Sequence, residues 1–279
     1  MQARACIFPF YRAFSMNKLK TIAYRIFPEH AFIPVITVIG IHFFAYLVPK
    51  LVNLGRPHML LKLPLDDLIP FTPVFIVFYV LAFIQWAVYY LRLAREDRPV
   101  MRKYLIAGAI SKLVCMILFV AVPSAVDRPE VTVNGVFTWC CKVVFFFDVP
   151  NNVFPSMHCL ESWLCMRLAI EEFKLGRVPE LARSIKQGYT GEMIKCINRK
   201  EWNRIKQDPE KKAAAEAGEI YVHSHALLSS ILTLLVLLST VFIKQHYVLD
   251  VVSGVALAEI SLAAGRIICK KDGPKPEND

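Results

Sequence analysis

PFTPVFIVFYVLAFIQWAVYYL, residues 70–91, carries no charged side chain and is long enough to cross a bilayer as a helix. A hydrocarbon core of about 30 Å needs about 20 predominantly apolar residues in helical form. Similar runs cover 31–49 (AFIPVITVIGIHFFAYLVP), 104–123 (YLIAGAISKLVCMILFVAVP), 224–243 and 247–267. A weaker one starts near His158 and runs to about Phe173, interrupted by Glu161 and Arg167. The expected fold is therefore all-α: a polytopic membrane protein with six transmembrane helices in a bundle.

Composition agrees. Of 279 residues, 56% are hydrophobic and 12% aromatic, and the mean hydropathy of +0.44 is too apolar for an ordinary soluble protein. The formal charge of +10 raises the question of nucleic acid, and the position of the charges answers it. They cluster between apolar segments, as the positive-inside rule requires, with no basic stripe along a soluble face. We expect no nucleic-acid partner. The eight cysteines at 6, 115, 140, 141, 159, 165, 196 and 269 have no metal-ligand spacing, and several behave as small hydrophobes within apolar runs.

Charge also orients the chain. Residues 1–30 carry Arg4, Arg12, Lys18, Lys20 and Arg25 without a signal-peptide cleavage pattern, and read as a basic amphipathic segment on the cytoplasmic membrane surface. The loop with Arg92, Arg95, Arg98, Arg102 and Lys103 is opposed only by Glu96 and Asp97. A charged insert, 174–222, lies between the fourth and fifth spans; up to Lys212 it has eleven Lys or Arg against five acids. With six spans all three fall on one side. The sequence thus predicts a multi-pass protein of the cell membrane with both termini cytoplasmic: the N-terminal segment 1–30, a six-helix domain 31–267 and a tail 268–279. VFTWCCKVVFFF (136–147) is too short to span and reads as a re-entrant or interfacial helix, and EKKAAAEAGE within the insert has helical composition.

Charges within spans need partners. Lys112 lies eight residues into its helix and Glu259 about twelve into the last one, roughly 12 and 18 Å from opposite faces. Those depths coincide in a 30 Å core, which predicts a buried Lys112–Glu259 contact.

Three polar groups share the outer face: Asp127-Arg128-Pro129, VPNNVFPSMHCLESW (149–163), and Lys244 to Asp250 (KQHYVLD). His246 and Asp250 are four apart and share a helix face. A carboxylate on one ring nitrogen leaves the other free as nucleophile or base; a plain polar pair at a helix start is the competing reading. Ser156, after Pro155, is a favoured N-cap residue and sits where a helix N-terminus binds anions. His158 is placed to give a proton to a leaving oxygen, or is a simple interfacial histidine. Together Arg128, Lys244, Ser156 and two histidines form a cationic cup suited to phosphoryl transfer.

RP at 128–129, FPSMH at 154–158 and HYVLD at 246–250 together resemble the three-part signature of the type 2 phosphatidic acid phosphatase superfamily. The likeness is to its bacterial lipid-phosphatase-like branch, related to inositolphosphorylceramide and sphingomyelin synthases. It covers about residues 104–265, with Asp148 to His158 matching the DxPxNxFPSxH-like stretch. The resemblance implies six membrane helices, no cofactor or metal, and a phosphohistidine intermediate. Carried over, His246 is the nucleophile, Asp250 its orienting partner and His158 the acid, while Ser156 and Arg128 hold phosphate. Ala121 and Thr240 stand where the family has Lys and Arg, and Lys244 is expected to replace one of these cations. The expected function is hydrolysis of a lipid phosphate at the extracytoplasmic face. The alternatives are head-group phosphotransfer and, in another class, a non-enzymatic protein or transporter with Lys112, Glu161 and Glu259 as a relay.

Overall fold

Among the described residues six long helices alternate in direction, and at one end of the bundle Tyr46, His158 and the connecting loops line a small cavity. The computed structural model describes residues 28–174 and 209–271, with side chains for 224–270 of the second stretch. Most of the N-terminal segment, insert residues 175–208 and tail residues 272–279 lie outside these. The helices are α1 (Glu29–Val52), α2 (Pro64–Leu68), α3 (Ile76–Leu93, extended by a 3-10 turn at Pro73–Phe75), α4 (Arg98–Ala121), α5 (Val136–Phe147), α6 (Met157–Lys174), α7 (Pro209–Phe242) and α8 (Val248–Lys271). EKKAAAEAGE is helical as expected, but it runs without a break into the fifth apolar run as the first turns of α7.

Apolar runs become helices because lipid leaves the main chain no other way to satisfy its polar groups. Proline marks several starts, where its missing N–H costs nothing: Pro28 precedes α1 and Pro99 opens α4. Among the described residues five segments are long and apolar enough to cross a membrane: Glu29–Val52, Pro73–Leu93, Arg98–Ala121, Ser224–Phe242 and Val248–Lys270. Large apolar side chains such as Phe43, Phe44, Ile84, Leu228, Leu234 and Ile260 point outward from them, the direction expected of a protein solvated by lipid.

Helix α6 is the exception in composition and the centre in position. It packs against α3, α4, α7 and α8, and its 18 residues extend about 27 Å. Shielded from lipid by its neighbours, it tolerates buried charges because they meet partners. Glu161 pairs with Lys112, Glu172 with Arg92, and Glu171 with Lys103 and the Tyr104 hydroxyl.

These contacts correct one sequence expectation. Lys112 Nζ meets Glu161 Oε2 at 2.6 Å, both side chains 1% exposed, rather than Glu259. Glu259 faces another side of α6, where it accepts from Trp163 Nε1 at 2.7 Å and pairs with Arg167 Nε at 3.0 Å.

Pairings along the bundle fix the helix directions. Trp86 bonds Ser162 and Arg92 pairs with Glu172, so α3 and α6 run together. Lys103–Glu171 and Lys112–Glu161 make α4 antiparallel to α6, as Thr233–Ser162 and Cys159–Thr240 do for α7. Thus the C-terminal ends of α1, α4 and α7 meet the N-terminal ends of α3, α6 and α8. At that end a two-residue parallel ladder joins β1 (Met59–Leu60) to β2 (Ser124–Ala125), and Ala125 bridges Asn151. Asn53 Nδ2 and Arg56 Nη1 donate to the carbonyls of Phe119 and Val120, at 2.8 and 2.9 Å, tying α1 to the end of α4. The short helix α5 lies against α3 and the Pro73–Phe75 turn.

Candidate active site

The junction of α7 and α8 is a tight turn. Lys244 has a φ of 57°, and the Thr240 carbonyl accepts from both Gln245 N (2.9 Å) and His246 N (3.0 Å). This geometry turns Gln245 and His246 inward, where they are 2% and 7% exposed. His246 Nδ1 lies 3.5 Å from Asp250 Oδ2. The same Oδ2 accepts the Tyr247 N–H at 2.8 Å, closing the first turn of α8. Asp250 therefore both caps the helix and faces the histidine.

The start of α6 is held against α8 by close backbone approach. Ser156 N donates to the Asp250 carbonyl at 3.0 Å. A Cβ on Gly254 would lie 2.5 Å from the Ser156 carbonyl oxygen, so only glycine lets α8 come this near. The approach brings the rings of His158 and His246 to 6.3 Å between centroids. His158 stacks on Tyr79 at 4.3 Å and 20°, with Phe83 and Trp86 at 5.5 and 4.9 Å.

Arg128 reaches the same place from the loop after α4. Its Nη1 donates to the Asp148 carbonyl at 2.5 Å, its Nη2 donates to Gln245 Oε1, and its guanidinium covers the Phe145 ring at 4.7 Å. Arg128, His158 and His246, distant in sequence, line one cavity of about 30 Å³ with Tyr46, Asp148 and Gln245, room for about two waters. Arg128 Nε, Asn151 Oδ1, His158 Nε2 and Gln245 Nε2 are each buried without a protein hydrogen-bond partner, and all four residues line that cavity. Buried polar atoms are ordinarily paired, so this concentration marks a place built for a polar ligand.

Two expected phosphate contacts do not reach it. Ser156 is fully buried and its Oγ accepts the Cys159 N–H at 3.3 Å, which makes it the N-cap of α6. Lys244 Nζ donates instead to the carbonyls of Asp66 (3.0 Å) and Ile69 (2.5 Å), holding the loop before α3. It replaces no missing cation, because the turn that aims His246 inward aims Lys244 away. Thr240 donates its hydroxyl to the Leu237 carbonyl at 2.8 Å.

Sequence reasoning missed Asp148, Gln245 and Tyr46 as wall residues. Gln245 adjoins His246 and Asp148 begins the matched motif, so both carried a positional signal. Tyr46, inside an apolar run, carried none.

Fold and cavity together define an all-α, multi-pass type of protein with a buried polar site at one end of its bundle. Comparison with models of known families, with characterised proteins and with solved structures finds no match in any of the three.

Proposed function

We propose that this chain is an integral membrane lipid phosphate phosphatase that works through a phosphohistidine, as its likeness to the type 2 phosphatidic acid phosphatases implies. The observation that carries the reading is the convergence of Arg128, His158 and His246 on one cavity whose polar atoms lack protein partners. In this reading α6 is a sixth crossing, which the alternation of helix directions supports. The positive charge of the loops supports a cytoplasmic position for both termini and, with it, an extracytoplasmic cavity in the cell membrane.

With Asp250 against Nδ1, His246 presents Nε2 to phosphorus. The N–P bond forms as the P–O bond to the lipid breaks, and a proton on His158 passes to the departing oxygen, giving a free lipid alcohol. Water then attacks phosphorus and gives its proton to His158. The N–P bond breaks, and inorganic phosphate leaves with His246 restored. Arg128 offsets the charge on the phosphoryl oxygens, the main task in such transfers. To do so it exchanges its contact with Gln245 for the ligand.

A transporter relay through Lys112, Glu161 and Glu259 finds less support, since Glu259 stands with Arg167 and Trp163 while Lys112 and Glu161 pair with each other. The test is a panel of lipid phosphates and polyprenyl diphosphates with purified wild type and His246→Ala. Free phosphate from wild type alone supports hydrolysis. A new phospholipid without free phosphate points to head-group transfer, and turnover unaffected by His246→Ala defeats the mechanism.

A further inference from the structure

Asp148 joins parts of the site that come from separate stretches of chain. Its carboxylate accepts from the Tyr46 hydroxyl of α1 through Oδ1 and from the Tyr79 hydroxyl of α3 through Oδ2, the latter at 3.0 Å. Lys50 Nζ lies 3.8 Å from Oδ1 and donates to the Tyr46 oxygen. The Asp148 carbonyl takes Arg128 Nη1, and the Tyr79 ring lies flat on His158. One residue thus touches the arginine directly and the histidine through a single ring.

Burial pushes the Asp148 carboxyl up, but His158, the Tyr46 hydroxyl, Lys50 and the Tyr79 hydroxyl together hold it below the ordinary carboxylate value. It is an anion at neutral pH. The groups facing His158 are His42 of α1 across Trp86, Tyr79 of α3, Arg128 and Asp148 of the loops, and His246 before α8. Of these, Asp148 brings the negative charge. Glu161, one turn along α6, is already matched by Lys112.

Resting on the phosphatase reading, we propose that Asp148 is a positioning residue: through Tyr79 it fixes the ring of His158 that serves the leaving group. In that step the His158 proton ends on the lipid alcohol as the P–O bond breaks, and Asp148 neither gives nor takes one. An aryl phosphate, whose leaving group departs without a proton, has little need of this help.

The experiment compares Asp148→Asn with wild type on a lipid alkyl phosphate and on p-nitrophenyl phosphate. The expected result is a loss of about 10²-fold in kcat on the alkyl substrate, the lower end of what general acid catalysis supplies, and under about threefold on the aryl one. The basic limb of the pH profile should move to lower pH, because the imidazolium has lost its anion. Titration of the His158 ring by NMR in histidine-labelled protein, assigned with His158→Gln, should move the same way. Equal losses on both substrates with an unmoved His158 titration overturn the proposal. Should Asp148→Asn not fold, Tyr79→Phe carries the test, since it removes the hydroxyl contact and keeps the ring stack. If wild type releases phosphate from neither substrate the phosphatase reading fails, and the NMR titration still decides whether Asp148 governs His158.

Discussion

Replacing Glu161 by alanine would leave the Lys112 ammonium alone in the middle of the bundle. The two side chains are 1% exposed with their charged atoms 2.6 Å apart, and the Tyr90 hydroxyl donates to the other carboxylate oxygen at 2.5 Å. Removing one partner of such a pair costs about 3–5 kcal/mol, because the surviving charge is buried unmatched. The lost Tyr90 bond adds about 1 kcal/mol. For a chain of this size each kcal/mol moves the melting midpoint by about 2–4 °C, so Glu161→Ala should melt roughly 8–24 °C below wild type. Lys112→Met should behave similarly. The double variant Lys112→Met/Glu161→Met should recover most of the loss, since both charges leave together. Glu259→Gln is the control: with side chains 40% and 29% exposed for Glu259 and Arg167, it should cost under about 1 kcal/mol. Thermal unfolding of micelle-solubilised protein, followed by tryptophan fluorescence, measures all four. The pairing argument is wrong if Glu259→Gln falls as far as Glu161→Ala, or if the double variant loses the sum of the singles.

His246→Ala and His158→Ala should each reduce phosphate release from a lipid phosphate by at least about 10²-fold, and a phosphoenzyme trapped by acid quench should be absent from the His246 variant. Gly254→Ala forces a Cβ against the Ser156 carbonyl and should cost about 1–3 kcal/mol, with lower kcat as the two histidines move apart. Gly40→Ala, with open space around it, should do neither. Lys244→Ala should lose about 1 kcal/mol of stability with its carbonyl contacts while KM stays within about twofold; a large rise in KM would restore it as a phosphate ligand. Because the folded state holds the Asp148 carboxyl below its ordinary 3.8, its stabilising effect is complete above that pH and lost as pH falls through the lower folded value. Melting curves across that range should therefore fall less steeply for Asp148→Asn than for wild type.

The amino-acid sequence by itself determined the helices and most of the candidate chemistry. Runs such as 70–91 admit only one backbone solution in lipid, because every peptide group must be satisfied within its own helix. The spacing of His246 and Asp250, and the FPSMH stretch before a helix, are local patterns that survive into the fold. Tertiary structure decided the partners. Counting residues at 1.5 Å each fixes a position along a helix axis, but not the neighbour a side chain faces. Which face meets which neighbour depends on the order of helices around α6, and no local pattern encodes that order, so Glu161 rather than Glu259 received the lysine. Local geometry decides other positions: the turn that aims Gln245 inward sends Lys244 away, and Ser156 is taken up as the N-cap of α6, while packing of distant segments brings Tyr46 and Asp148 to the cavity wall. A side chain's residue type states what it can bond, and only the assembled bundle settles what stands within 3 Å of it.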